Sequence, residues 1–206
     1  MNIKYIDFND PHYPSALKKH LAADVPKTIN AIGNPDILQN KTLAIFNSIK
    51  CPGKIIIKTY EYIRQLRESN ITVIGGFHSP LEQECLNILL KGKQPVILCP
   101  ARSIETMRIK KEFKKPIDEG GFLILSPFSF NHNRISSGRA DKRNHFAAAI
   151  ADKIVIPYAA PGSKTESLCN EWIKKGKTVF TFNSDYNKNL LDLGVGVEVI
   201  KKDRYD

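Results

Sequence analysis

The sequence predicts an α/β protein with a doubly wound, mostly parallel sheet, and two features of its patterning carry that prediction. Short, continuous apolar runs recur along the chain: Leu43–Phe46, Ile71–Ile74, Val96–Cys99, Phe122–Leu125, Ile154–Ile156 and Val179–Phe182. They do not alternate apolar with polar residues, so each strand is expected to be buried on both faces. Segments with helical spacing separate them, and strand–helix alternation is the pattern of a parallel sheet covered on both sides.

Residues 1–40 are expected to form an N-terminal cap segment, too poor in apolar residues for a core of its own. Asp10-Pro-His-Tyr-Pro14 reads as a turn, an amphipathic helix follows around Ser15–Leu21, and Pro26 and Gly33-Asn34-Pro35 punctuate the rest. Residues 41–206 are expected to be a single α/β domain. After the first strand comes a helix over Lys54–Ser69. After Ile71–Ile74 comes Pro80–Lys91, with Leu81, Cys85, Ile88 and Leu89 on one face. A helix around Ile104–Phe113 follows the third strand and Gly138–Ala151 the fourth. Lys164–Lys175, with Leu168, Cys169, Trp172 and Ile173 inward, follows the fifth. A short helix near Asn187–Leu193 and a strand near Val197–Ile200 complete the pattern.

The chain has 206 residues, 42% hydrophobic and 25% charged, as in a globular protein with a substantial core. No apolar run approaches the roughly 20 residues that span a bilayer, and the N-terminus lacks the basic start and apolar stretch of a signal peptide. These features predict a cytoplasmic protein without membrane contact. Cys51, Cys85, Cys99 and Cys169 show no CxxC or CxxH spacing. They are expected to act as small hydrophobes, with no metal and no cofactor. Lys and Arg number 31 against 21 Asp and Glu, a net charge of +10. The excess gathers in Arg102–Lys115, in Arg134–Arg143 and in Lys164–Lys177. A surface this basic favours a polyanionic partner.

Ligands of a doubly wound sheet bind beyond the carboxyl ends of its strands, so the loops there hold the candidate residues. They are Ser48 and Lys50 after the first strand; Gly75, Gly76, His78 and Ser79 after the second; and Arg102 after the third. Arg139, Arg143 and Asn144 follow the fourth, and Gly162, Ser163, Lys164 and Thr165 the fifth. Ser79-Pro-Leu-Glu82 and Ser163-Lys-Thr-Glu166 both have the spacing of a capping box. They read either as two capped helices or as phosphate sites in which glycine lets an anion approach the helix-end amides. Neither is a Walker A loop, and no GxGxxG follows the first strand. Arg139, Arg143, Ala147 and Ile150 share one helical stripe. That points the arginines at the strand ends, where Arg143 would bind an anion or pair with Asp141 or Glu166. His78 could donate to phosphate, act as an acid or base, or simply turn the chain. Phe77 and Tyr158 could stack on a base or belong to the core.

These residues resemble the DprA/Smf DNA-processing family. Tyr13-Pro14-x-x-Leu17 with Gly33-Asn34 is similar to the segment before that family's Rossmann-like core. Arg143-Asn144-His145-Phe146-Ala147 resembles its Arg-Asn-Arg-x-x-Ala stretch, Gly162-Ser163-Lys164-Thr165 its Ser-Gly-Ser-x-x-Thr loop, and Gly176-Lys177-Thr178-Val179 its Gly-Arg-x-Val strand. The resemblance is to the core without the C-terminal winged helix. Asn47-Ser48-Ile49 stands where the family has Gly-Ser-Arg. The resemblance implies single-stranded DNA binding, homodimerisation and RecA loading in DNA uptake or recombination. A more distant resemblance, through Arg143, Asp152 and Pro161-Gly162, is to the LOG and lysine-decarboxylase-like proteins.

Three functional readings follow. The leading one is a non-enzymatic binder of single-stranded DNA. The second is a nucleotide sensor, as in phage defence. The third is a nucleoside-monophosphate phosphoribohydrolase, in which Glu166 or Glu82 would assist water and Arg143 would hold phosphate.

Overall fold

The computed structural model describes residues 2–200. In chain order the elements are β1 (Lys4–Asp7), α1 (Ser15–Leu21), β2 (Thr28–Ile32), β3 (Thr42–Ile45), α2 (Gly53–Leu66), β4 (Thr72–Gly75), α3 (Pro80–Leu89), β5 (Val96–Leu98), α4 (Lys111–Asp118), β6 (Phe122–Ser126), α5 (Ser137–Ile150), β7 (Lys153–Val155), α6 (Lys164–Lys174), β8 (Thr178–Phe182), α7 (Lys188–Asp192) and β9 (Gly196–Glu198). The strand order is β1-β2-β6-β5-β4-β3-β7-β8-β9. The pairs β1/β2 and β2/β6 are antiparallel and the other registered pairs are parallel, which gives the expected mostly parallel α/β fold.

The chain forms two compact units. The first takes the chain up to Ala44, Ile71–Gly76 and Pro95–Asp152; the second takes Ile45–Asn70, Phe77–Gln94 and the chain from Lys153 onward. The boundary therefore falls inside β3.

In the first unit β6 is buried along all five residues, as its unbroken apolar sequence requires. Phe113 of α4 stacks on Phe122 with ring centroids 4.8 Å apart. The Ala147-Ala148-Ala149 run of α5 is fully buried, small side chains permitting close approach to the sheet. At the opposite end of the strands, Asp152 Oδ2 accepts from the Thr42 amide (2.8 Å) and hydroxyl (3.1 Å), securing the start of β3. The first forty residues supply β1, α1 and β2, the two strands extending the sheet beyond β6. Pairing of β2 with β6, together with burial of Leu17, Ile29 and Ala31, gives this segment its place in the first unit.

In the second unit α3 buries the face that its spacing predicts. Leu81, Cys85, Ile88 and Leu89 are all inside. Trp172 of α6 is fully buried, and Tyr62 meets Phe182 edge-on at 5.7 Å.

One expected helix is displaced. The segment around Ile104–Phe113 is not helical until Lys111. Ser103 holds it in another shape: its amide donates to His132 O (2.9 Å), and its hydroxyl accepts from the Glu105 amide (3.3 Å). Such local serine bonding competes with helix formation. The apolar pair that does form a helical face is Phe113 and Ile117.

Candidate functional site

The strand order reverses at β3, with β4 on one side and β7 on the other. In doubly wound sheets, ligands bind beyond the carboxyl ends of the strands near such a reversal. In the second unit the loops after β3 and β7 run together here. Phe46 N donates to Val155 O (3.2 Å) and Ser48 N to Tyr158 O (3.1 Å). Ser48 Oγ accepts from Ala160 N (3.0 Å) and lies 3.3 Å from Ser163 Oγ. Asn47 Nδ2 donates to Ser48 O (2.6 Å), while Asn47 Oδ1 is buried without a hydrogen-bond partner. A buried acceptor left unpaired costs about 1–3 kcal/mol, so it marks a place where an incoming donor would be welcome.

The loop before α3 is organised by one buried carboxylate. Ser79 Oγ accepts from Glu82 N (3.3 Å). Glu82 Oε2 accepts from His78 N (2.9 Å) and Ser79 N (3.4 Å), and its Oε1 from Asn47 N (3.3 Å). The capping box is thus present, and it also ties down the loop after β3. Phe77, buried in the same loop, has φ 45°, a left-handed conformation that a bulky residue holds only where its surroundings impose it. The amide bonds from His78 and Ser79 supply that constraint.

The loop before α6 differs by one residue. Ser163 Oγ accepts from Glu166 N (3.3 Å), but Glu166 Oε2 reaches the Gly162 amide (2.7 Å) rather than that of the cap. Its other oxygen accepts from Asn189 Nδ2. Gly162 sits at φ 71°, and that turn is what aims its amide at Glu166. Both helix starts therefore hold a carboxylate of their own. Charge for an anion must come from side chains beside them. Lys164 and His78 are exposed, and Thr165 is half-buried. Lys50 is exposed beside Ile49, whose side chain is also open to solvent.

In the first unit Arg143 is buried at 5% exposure. Its Nη1 donates to Cys99 O (3.0 Å) and its Nε to Asn144 Oδ1 (2.8 Å). A Cβ on Gly76 would lie 1.5 Å from Arg143 Nη1, so the space this glycine opens is filled by the guanidinium. Burial pushes the neighbouring Cys99 thiol up to about 12, against the opposing pull of Arg143. Arg139 is half-buried and donates to Arg134 O. Arg102 is half-buried, and its carbonyl accepts from Ser126 Oγ (2.8 Å).

The expected residues thus fall into two groups. Ser48, Lys50, His78, Ser79, Gly162, Ser163, Lys164 and Thr165 belong to the second unit; Gly75, Gly76, Arg102, Arg139, Arg143 and Asn144 belong to the first. Apolar and aromatic residues not singled out from the sequence also face solvent at the carboxyl ends, those after β6 beside members of the basic cluster Arg134–Arg143. After β6, Phe130 and Ile135 are 55% exposed on either side of Arg134, with Lys142 exposed on α5. After β8, Tyr186 is 48% exposed. An aromatic flanked by polar residues, as in Ser-Phe130-Asn-His-Asn-Arg134, was the available signal.

A family model described as DNA recombination-mediator protein A matches residues 4–193. No curated protein sequence matches the chain. Among solved structures, DNA processing protein A from Streptococcus pneumoniae is similar at 18% identity and a TM-score of 0.79, covering 98% of this chain and 72% of that one. DNA processing protein A from Helicobacter pylori, described for its unique single-stranded DNA binding mode, is similar at 20% identity and 0.76, covering 95% and 90%. The molybdenum cofactor binding protein from Rippkaea orientalis is more distant, at 14% identity and 0.53, covering 78% and 90%.

Proposed function

Since the chain belongs to the DNA recombination-mediator protein A family, we propose that it is a DNA-processing protein that binds single-stranded DNA through phosphate-led contacts beyond the carboxyl ends of its strands. The observation that carries this reading is the loop after β6. Exposed Phe130 and Ile135 flank exposed Arg134 there, and half-buried Arg139 and exposed Lys142 follow on α5. An exposed aromatic close to basic residues suits a flexible strand whose bases stack and whose phosphates are neutralised, with little reading of sequence. The net charge of +10 supports the same partner. Lys50, His78 and Lys164 provide further polar and cationic contacts within the second unit. Arg143 acts from beneath the surface, holding the strand-end loop of the first unit in shape.

Fluorescence anisotropy with a labelled oligo-dT of about 20 nucleotides tests the proposal. Affinity is expected to fall linearly in log–log form with salt, with a slope of about −0.7 per phosphate neutralised. Binding indifferent to salt, or readily displaced by AMP, would refute it. The proposal includes the self-association and RecA loading that the family resemblance implies. Light-scattering mass and RecA filament formation on coated strands are their respective tests.

A further inference from the structure

The second unit carries an open groove of about 560 Å3 lined by Lys54, Lys58, Asn183, Ser184, Asp185 and Tyr186. It lies between the first turns of α2 and the turn that leaves the carboxyl end of β8. None of these residues takes part in the arrangement around Ser48, Glu82 and Ser163. We infer that this groove is a nucleotide subsite in which one base of a single strand stacks on Tyr186 while Lys54 and Lys58 neutralise the adjoining phosphate.

The turn is built to present the ring. Ser184 Oγ accepts from the Tyr186 amide (3.4 Å), and the Asn187 amide donates to Ser184 O (2.9 Å). Asn187 itself is fully buried, its Nδ2 donating to Pro157 O (2.8 Å) and Phe182 O (3.1 Å). A buried amide thus anchors a three-residue 3-10 turn while the tyrosine next to it stands 48% exposed. A large aromatic left open on a fixed backbone loses little freedom when a base covers it. The charge matches as well. Lys54 is exposed, and Lys58 donates to Asn183 O (3.2 Å), which holds its ammonium at the groove's lining. Two lysines against the one aspartate leave the lining net positive. Stacking with any base and a point-charge contact to phosphate both fit a strand bound without sequence preference.

This inference rests on the single-stranded DNA reading, and the experiment separates the two. Anisotropy with oligo-dT is measured for the wild type, Tyr186→Ala, Tyr186→Phe and the double variant Lys54→Ala/Lys58→Ala. A second oligonucleotide carries 2-aminopurine, whose fluorescence reports stacking. Tyr186→Ala is expected to weaken binding about tenfold and to abolish the 2-aminopurine change, as for one lost stacked base. Tyr186→Phe should stay within about twofold of the wild type. The double lysine variant should make the salt slope shallower by about 0.7, the value for the one phosphate that the two lysines neutralise. Lys54 and Tyr186 are exposed and Lys58 makes one solvent-accessible hydrogen bond, so melting temperatures should change little. Wild-type binding that Tyr186→Ala and the lysine variant leave intact would overturn the subsite alone. Failure of the wild type to bind oligo-dT would overturn both readings. Displacement of the 2-aminopurine signal by AMP would assign the groove to a free nucleotide and overturn the strand.

Discussion

Arg143 and Gly76 share one space: the guanidinium occupies the volume that any side chain at position 76 would need, with Nη1 1.5 Å from where a Cβ would sit. Arg143 is buried and donates to Cys99 O, so it cannot swing aside without leaving that carbonyl unpaired. Gly76→Ala is therefore expected to destabilise the protein by about 1–3 kcal/mol, the usual cost of overpacking. In an Arg143→Ala background the same change should cost little. Urea titration of the four proteins in this double-mutant cycle measures the coupling, and additive effects would show that the two positions act independently.

Glu82 collects three backbone amides, from Asn47, His78 and Ser79, on one buried carboxylate. Glu82→Ala should destabilise by about 2–4 kcal/mol, since hydrogen bonds to a charged acceptor count for more than neutral ones and their donors would be left buried. Hydrogen exchange should locate the loosening in the loops after β3 and β4. Glu166→Gln is expected to cost less, because Gly162 lies at the exposed side of its own loop.

His12 lies between two carboxylates, with Nδ1 3.0 Å from Asp10 and Nε2 3.0 Å from Asp36. Hydrogen bonds to Asp10 and then Asp36 raise its pKa above the ordinary 6.5. Stabilisation from this raised pKa is full below about pH 6.5 and is lost as pH rises through the folded value. The pKa of Asp10 is lowered from 3.8 by bonds from the His12 amide and ring. That contribution is present above pH 3.8 and is lost as pH falls through the folded value. The clasp is thus most effective between about pH 3.8 and 6.5. Thermal melts of His12→Ala should fall below the wild type at pH 5 and approach it at pH 9. His12 and Asp10 are only half-buried and Asp36 is exposed, so the difference should be small and should shrink with salt.

In the loop after β6, Arg134→Ala with Lys142→Ala should make the salt dependence of oligo-dT binding shallower by about 1.4 without moving the melting temperature. Phe130→Ala should weaken binding at every salt concentration and leave the slope unchanged, since stacking releases no counterions.

Much of this architecture was legible in the sequence, because buried parallel strands write themselves as unbroken apolar runs and their helices as apolar stripes. Of the stripe Arg139, Arg143, Ala147 and Ile150 the last three face inward while Arg139 is only half-buried, and Ser79 and Ser163 do cap α3 and α6. What stayed hidden depended on partners distant in sequence. The fate of β1 and β2 is decided by pairing with β6, more than ninety residues away along the chain. Segment 104–110 is withheld from helix by a bond to His132. The glycine at position 76 reads as clearance for a ligand until Arg143, brought in from another helix, is seen filling it. Tyr186 and Lys54 lie over a hundred residues apart and become neighbours only through the folding of the second unit.

The four free cysteines carry a practical consequence. Cys85, Cys99 and Cys169 are sealed in the interior, and burial raises each of their pKa values, to about 12 for the last two. Cys51 alone is half-buried. Burial raises the Cys51 thiol as well, so it is access that sets it apart: a thiol reagent at alkaline pH should add a single mass increment to the folded protein and four after denaturation. Cys51 lies three residues before Lys54, so the same chemistry would place a fluorophore beside the groove at Tyr186 without any engineered cysteine.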